Sequence, residues 1–399
     1  MLLLDLSHTS HTQARTGVQR VALELRRELR ARHEVQEITH DPYARTWRPL
    51  QPWEQANLDR PAQAARKRGA SWPLSAQWRG WWQRQTSSTS PTLEIPAPAQ
   101  GLVFPEVFTA KTATQLLSLF SAIKAPKVAV FHDAIALRLP ELSPPGTVAR
   151  FPSYLEELRQ FDGIAAVSED SRQSLLDYWQ WAGWGPGPEV ITLPLGCDHL
   201  PSSDSSSAAP PPNALLKVLS VGSLEGRKNH LTLVNACEKL WAEGAEFQLE
   251  IIGALQRETG RTAMDRIQTL QRAGCPLVYH GWLSDEALRQ AYESADFTVY
   301  PSIMEGFGLP IWESLLHGKP CICSDQGAVA ETARGGGCLP TPTLDRDALA
   351  HAISTLLTDH PKRETLTQAA RSRRPNSWQN YARDLESWIQ TLSIKVDSD

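Results

Sequence analysis

The chain has little of what would mark a membrane, metal or nucleic-acid protein. Its only N-terminal apolar run, MLLLDL, is cut off by Asp5 and has no basic stretch before it. It reads as a first buried β-strand, too short for a signal peptide or a bilayer span. Cysteines are few and scattered, at positions 197, 237, 275, 321, 323 and 338. Cys321 and Cys323 stand in KPCICSD, where strand alternation puts both on one face. Their C-x-C spacing, with no His or Cys pair nearby, does not build a zinc site. Buried, reduced thiols in a cytosolic protein are expected instead. Charge of one sign is also missing: the formal net charge of −4 gives no electrostatic case for nucleic acid. There is no tandem repeat of solenoid type.

What is present is a long soluble chain. At 399 residues with 41% hydrophobic content it exceeds one ordinary core, so two domains are expected. The C-terminal half alternates short apolar runs with amphipathic segments, the pattern of βαβ units and a parallel sheet. Strands are predicted over 217–221, 247–252, 277–280, 297–300 and 320–323, with helices near 231–241, 264–273, 285–293 and 311–317. The N-terminal half repeats this more loosely, with strands over 2–6, 102–104, 128–131, 164–167 and 190–193 and helices over 18–30 and 171–179. Between the halves HLPSSDSSSAAPPPN has linker composition. The expected division is therefore 1–198, a linker at 199–215, a second domain at 216–376, and a last amphipathic helix within 377–399.

One region breaks the alternation. From about 43 to 85 the chain carries Trp47, Trp53, Trp72, Trp78, Trp81 and Trp82 among Arg45, Arg48, Arg60, Arg66, Lys67, Arg68, Arg79 and Arg84. Tryptophan with arginine suits a headgroup interface or an anionic, lipid-linked acceptor. It equally suits a small subdomain stacked by cation–π contacts.

The most informative stretch is PSIMEGFGLPIWESLLHGKP, residues 301–320. Glu305 and Glu313 stand eight positions apart, separated by Gly306, Phe307, Gly308, Leu309, Pro310, Ile311 and Trp312. The glycines place the first carboxylate on a loop where backbone can pass close to a ligand. Pro310 suits the first position of a helix, which puts Glu313 in its opening turn. A helix mouth offers amides to an anion, while carboxylates accept hydrogen bonds from sugar hydroxyls. A second stretch, SVGSLEGRKNH, ends a strand at Val221, turns at Gly222, and sets Arg227 and Lys228 before a helix near Asn229. Such cations are suited to a diphosphate, the guanidinium bidentate and the ammonium as a point charge. Gly17, in Thr16-Gly17-Val18-Gln19-Arg20, falls between the first strand and helix, and His132-Asp133 follows the strand ending at Phe131. Asp345-Arg346-Asp347 spells a metal-binding pattern but opens an amphipathic run, so helix capping explains it better. Gly335-Gly336-Gly337 lacks the Lys-Ser/Thr and helix of a P-loop.

The PS-x-x-EGFGLP-x-x-E element followed by GKP, together with VG-x-L-x-x-RKN, resembles the retaining glycosyltransferases of family 4. That resemblance implies a GT-B fold: two doubly wound Rossmann-like α/β domains facing a central cleft, the last helix crossing back to the first. It implies that Arg227 and Lys228 hold the donor pyrophosphate, with Gly222, the Gly306–Leu309 backbone and Gly17 beside them. Glu305 would accept from the donor sugar and Glu313 from the ribose. His132 would reach the sugar near the reacting carbon, and Trp282-Leu283 would meet the base through backbone groups. The reaction implied is transfer of a hexose from a nucleotide diphosphate, GDP-mannose first, to a saccharide or lipid-linked saccharide during polysaccharide, O-antigen or capsule synthesis. No cofactor and no metal are called for. A cytoplasmic place follows, with peripheral contact at the inner membrane face. The competing readings are a GT-B-type sugar-nucleotide epimerase and a non-catalytic sugar-nucleotide-binding scaffold.

Overall fold

The structure is a computed structural model that describes residues 1–14, 16–60, 69–86, 99–198 and 215–393. Nearly all of the Ser/Pro-rich stretch at 199–215, and Arg66, Lys67 and Arg68, lie outside the described residues. The chain forms two compact units. The first contains residues 1–134, 149–196 and those from Ser377 on; the second contains Ile135–Val148 and residues 197–376.

The first unit is built on seven strands: β1 (Leu2–Asp5), β2 (Val35–Asp41), β3 (Thr46–Pro49), β4 (Gly101–Phe104), β5 (Lys127–Phe131), β6 (Gly163–Ala166) and β7 (Glu189–Thr192). Their order is β3-β2-β1-β4-β5-β6-β7, parallel throughout except for β3, which runs antiparallel to β2. β1, β4, β5 and β6 are buried along their whole length, as strands covered on both faces must be. The last helix, Trp378–Ile389, lies on this unit and packs against helix Gly17–Arg32. Glycines make that fit possible. A Cβ at Gly163 would meet Trp388 at 2.6 Å, one at Gly101 would meet Ile389 at 2.8 Å, and one at Gly196 would overlap the backbone of Trp378. Trp378, Tyr381, Leu385 and Ile389 are fully buried there, worth roughly 2 kcal/mol apiece in transfer terms.

The second unit carries β8 (Leu216–Val221), β9 (Phe247–Ile252), β10 (Leu277–Gly281), β11 (Phe297–Tyr300), β12 (Cys321–Ser324) and β13 (Cys338–Thr341). The order β10-β9-β8-β11-β12-β13 is wholly parallel. Chain direction across the sheet reverses between β8 and β11, the place where ligands collect at the strands' carboxyl ends in doubly wound sheets. The same reversal falls between β1 and β4 in the first unit. β8 and β9 end in a close approach. A Cβ on Gly253 would stand 1.8 Å from the carbonyl oxygen of Gly222, so only hydrogen fits. None of the six cysteines is in a disulfide, and Cys321, Cys323 and Cys338 are buried on β12 and β13.

The tryptophan–arginine region proves to contain two different things. Trp72 stacks on His11 at 3.8 Å, with Trp53 edge-on to both rings and the Arg48 guanidinium 5.7 Å from the Trp72 centroid. Arg48 grips Glu54 with two hydrogen bonds of 2.8 Å, and Glu54 also meets His11 at 2.8 Å. These contacts hold the Glu54 carboxyl down at about 2 against the cost of its burial. Trp47 is buried and donates to the carbonyl of Gln115. The helix Leu74–Thr86, by contrast, leaves its tryptophans outside.

Candidate functional site

The site is assembled where β8 and β11 deliver their loops. After β8 the chain turns at Gly222, forms one 3-10 turn over Gly226–Lys228, and passes through Asn229 in the left-handed region (φ 56°) before helix His230–Ala242. Asparagine tolerates that conformation. Its side chain is fixed as well, donating to the Thr343 carbonyl at 2.8 Å and accepting from Thr232 at 2.6 Å. Leu142 packs under the turn, since a Cβ on Gly226 would meet it at 2.8 Å.

After β11 the chain runs through Pro301 to Glu305. The two loops are stitched together: the Ile303 amide donates to the Arg227 carbonyl at 2.8 Å, and Arg227 Nη1 donates to the Met304 carbonyl at 3.3 Å. Glu305 then receives both cations. Arg227 Nη1 lies 2.9 Å from its Oε2 and Lys228 Nζ lies 2.5 Å from its Oε1. Glu225 takes the other edge of the guanidinium at 2.8 Å. Lys228 also donates to the Tyr300 hydroxyl at 2.5 Å, with its ammonium 4.8 Å from that ring's centroid.

The electrostatics follow from burial. Burial by itself would raise the Glu305 carboxyl, but Arg227 and Lys228 outweigh it and bring the group down to about 2. Burial lowers the Lys228 ammonium, and the Glu305 charge opposes that shift. Tyr300 is driven well upward by burial and by Glu305, so it stays a neutral phenol. Two cations and two carboxylates (Glu225 and Glu305) thus stand together with no formal excess of either sign.

Beyond Glu305 the loop reaches Gly308, whose φ of 92° is left-handed, and it caps helix Leu309–Leu316. This corrects the expected helix start. The glycine rather than Pro310 breaks the backbone, so Pro310 is the second helical residue and Glu313 the fifth, one residue deeper than expected. Glu313 is buried and accepts from the Tyr292 hydroxyl at 2.9 Å. Tyr292 in turn stacks on His317, with centroids 4.8 Å apart. Phe307 is half-buried, and its carbonyl accepts from Thr332 at 3.2 Å. Gly281 (φ 68°) ends β10 and its carbonyl accepts from the Gly253 amide at 2.7 Å. Trp282 follows 40% exposed, while Leu283 packs beside Tyr292 and Ile252.

The remaining candidates belong to the first unit. Gly17 is the first residue of helix Gly17–Arg32, capped by Thr16, whose amide donates to Gln19 Oε1 at 3.2 Å. Nothing lies within 4 Å of where a Gly17 Cβ would be, and its φ is not positive, so the fold itself does not require glycine. His132 is buried, with Nε2 2.7 Å from the Pro105 carbonyl, and burial lowers its pKa. Ser168 caps helix Glu169–Trp181, and Ser171 donates to the His132 carbonyl at 3.0 Å.

Sequence reasoning missed four groups. Glu225 and Tyr300 flank the cations yet were not singled out, although Glu225 lies within SVGSLEGRKNH and Tyr300 directly precedes PSIMEG. Asp5 and Glu106 come together at the ends of β1 and β4 through tertiary structure alone. Glu106 Oε2 accepts from the amides of His8 and Thr9 at 3.0 and 3.2 Å, and burial and Glu106 push Asp5 up to about 8. Asp345 caps its helix, accepting from the amides of Asp347 and Ala348. Among the described residues no cluster of His, Cys, Asp or Glu is arranged to hold a metal. Nor is any helix among them long and apolar enough to cross a membrane.

Two doubly wound units, each with loops gathered at the strand reversal, make up the GT-B fold. Residues 205–373, a little under half of the chain, match the family described as glycosyl transferases group 1. Sucrose-phosphate synthase from Thermosynechococcus elongatus shares the fold, with a TM-score of 0.67 and 18% identity over 97% of this chain and 98% of that one. HepE from Anabaena, solved with UDP and glucose, gives 0.63 and 15% over 98% and 99%. In sequence the chain is 26% identical over 349 residues to the serotype-specific mannosyltransferase WbdA of Escherichia coli. That match covers 84% of this chain but only 40% of the relative's length. It is 28% identical over 261 residues to O-antigen chain mannosyltransferase B of the same species, covering 63% of this chain and 67% of the relative.

Proposed function

We propose that the protein transfers mannose from GDP-mannose to a growing saccharide of a bacterial surface polysaccharide, with retention of anomeric configuration. The carrying observation is the Arg227–Glu305–Lys228 constellation at the strand reversal of the second unit. The names of the sequence relatives favour mannose among donor sugars.

In this reading a nucleotide diphosphate enters with its pyrophosphate against Arg227, Lys228 and the amides of the Gly306–Leu309 turn. Charge grows on the leaving phosphate as the glycosidic bond breaks, so cations fixed beforehand stabilise the transition state more than the ground state. Glu305, ionised at every physiological pH, keeps both cations aimed and offers its remaining lone pairs to sugar hydroxyls. Glu313, oriented by Tyr292, accepts from the ribose. The leaving phosphate takes the acceptor's proton on the same face as attack, so no second nucleophilic carboxylate is required. His132 and Gly17 serve from the first unit, the histidine toward the sugar and the glycine by leaving room at its helix mouth. The domain boundaries expected from sequence, with a linker at 199–215, belong to this proposal, as do a cytoplasmic place and a saccharide or lipid-linked acceptor.

The test is thermal unfolding with GDP, UDP, ADP and dTDP in parallel, since a ligand that binds only the folded state raises stability by mass action. GDP should give the largest shift, and Arg227→Ala and Glu313→Gln should abolish it. GDP-mannose should then release GDP only when an oligomannoside acceptor is present. A shift with UDP alone would refute the donor, and no shift with any nucleotide would refute the reading.

A further inference from the structure

The helix Leu74–Thr86 is built back to front for a soluble protein. Its packed face is made of small residues, Ala76 and Gly80. A Cβ on Gly80 would meet Tyr43 Cβ at 2.8 Å and Asp41 Oδ1 at 3.0 Å, so the helix lies directly on the turn that follows β2. Its large apolar residues point the other way. Leu74 is 73% exposed, Trp78 68%, Trp81 47% and Trp82 65%. Their spacing of four, seven and eight residues puts them on one stripe. Trp78 and Trp81 meet edge to face at 6.0 Å, so the stripe is a continuous aromatic surface. Three indoles this exposed present roughly 400 Å² of apolar area, in the range that marks an interaction site.

We propose that this stripe docks the enzyme on an anionic phospholipid surface, with the helix lying in the plane of the headgroups. The occupant follows from charge. Between Asp59 and Glu94 there is no acidic residue, while Arg60, Arg66, Lys67, Arg68, Arg79 and Arg84 all fall in that interval of a chain whose net charge is −4. Arg79 and Arg84 stand on the exposed helix itself. Indoles that enter the headgroup layer with guanidiniums beside them match an anionic bilayer face. At 13 residues the helix is about 20 Å long, enough to lie on a membrane and too short to cross it. The inference rests on the proposed use of a lipid-linked acceptor only for its purpose, not for its geometry.

The experiment is co-sedimentation of the full chain with phosphatidylcholine vesicles, with and without about one-third phosphatidylglycerol. Binding should need the anionic lipid and weaken with salt. Trp78→Ser/Trp82→Ser should lower it at least about tenfold. Arg79→Gln/Arg84→Gln should lower it about 25-fold, at about fivefold per arginine. All four side chains are exposed, so melting temperature and the GDP shift should be unchanged. The proposal is overturned if the wild type stays in solution, if the variants sediment equally, or if the tryptophans instead hold a lipid-free dimer. A retained GDP shift without vesicle binding would sink the docking surface alone, whereas loss of the shift would sink the donor reading alone.

Discussion

Glu305→Ala is the sharpest perturbation of this structure. It removes the carboxylate 2.5 Å from Lys228 and 2.9 Å from Arg227. Arg227 keeps Glu225 as a partner, but Lys228 is left buried with a neutral phenol and a like charge beside it. Removing one member of a buried ion pair typically costs about 3–5 kcal/mol because the other charge stays desolvated. Replacing both members by apolar side chains does not carry that cost, so Lys228→Met/Glu305→Leu should be at least about 3–5 kcal/mol more stable than Glu305→Ala. Because the chain has two compact units, a single unfolding free energy is ill defined. Hydrogen exchange on peptides from β8 and β11 reports this site directly. Glu305→Ala should lower their protection by the full penalty, and the double variant should restore much of it. Equal protection in the two variants, or a penalty below about 1 kcal/mol, would refute the claim that Lys228 is held by Glu305 against its own burial.

Glu305→Gln cancels one of the two negative charges facing Arg227 and Lys228, so free GDP should bind at least as tightly while turnover falls; calorimetry showing weaker GDP binding would contradict this. Gly17→Ala should leave the melting temperature within a degree or so, since nothing occupies that Cβ position, yet lower kcat/KM. A fully active variant would remove Gly17 from the site. Gly253→Ala should fail to accumulate as folded protein, because its Cβ would lie 1.8 Å from a carbonyl oxygen; normal expression and melting would show the β8–β9 end to be looser than described. Burial depresses His230 to about 3 and His40 to about 4. A group depressed in the fold stabilises above its unfolded value near 6.5 and loses that contribution as pH falls through the folded one. Each histidine's own unit should therefore lose several kcal/mol between about pH 6.5 and 3, and His230→Asn should flatten that slope in hydrogen exchange on peptides of the second unit. An unchanged slope would mean the imidazole is solvated.

Local signals carried much of the fold. β9 and β11 have the predicted bounds, because apolar runs flanked by turn residues leave little choice. β2 was illegible, since VQEITHD has only two apolar residues, Val35 and Ile38. It lies between β1 and β3, and its buried Glu37 is met by Arg26, nearly two turns from the end of its own helix, at 2.6 Å. β13 was hidden by Pro340, which an edge strand tolerates and a central one would not. In the site, glycines and adjacent cations marked the loops. They could not show that Arg227 and Lys228 share Glu305, 77 or more residues away, or that Tyr292 would orient Glu313. The first partnership comes from strand order, which pairs β8 with β11 across the intervening sequence; the second joins the helices that precede and follow β11.

The six thiols have a practical consequence. Five are sealed in the interior and only Cys275 is within partial reach of solvent. Replacing Cys275 with serine would leave a chain effectively inert to maleimides, so one cysteine placed at an exposed helix position could carry a spectroscopic reporter without competing labels.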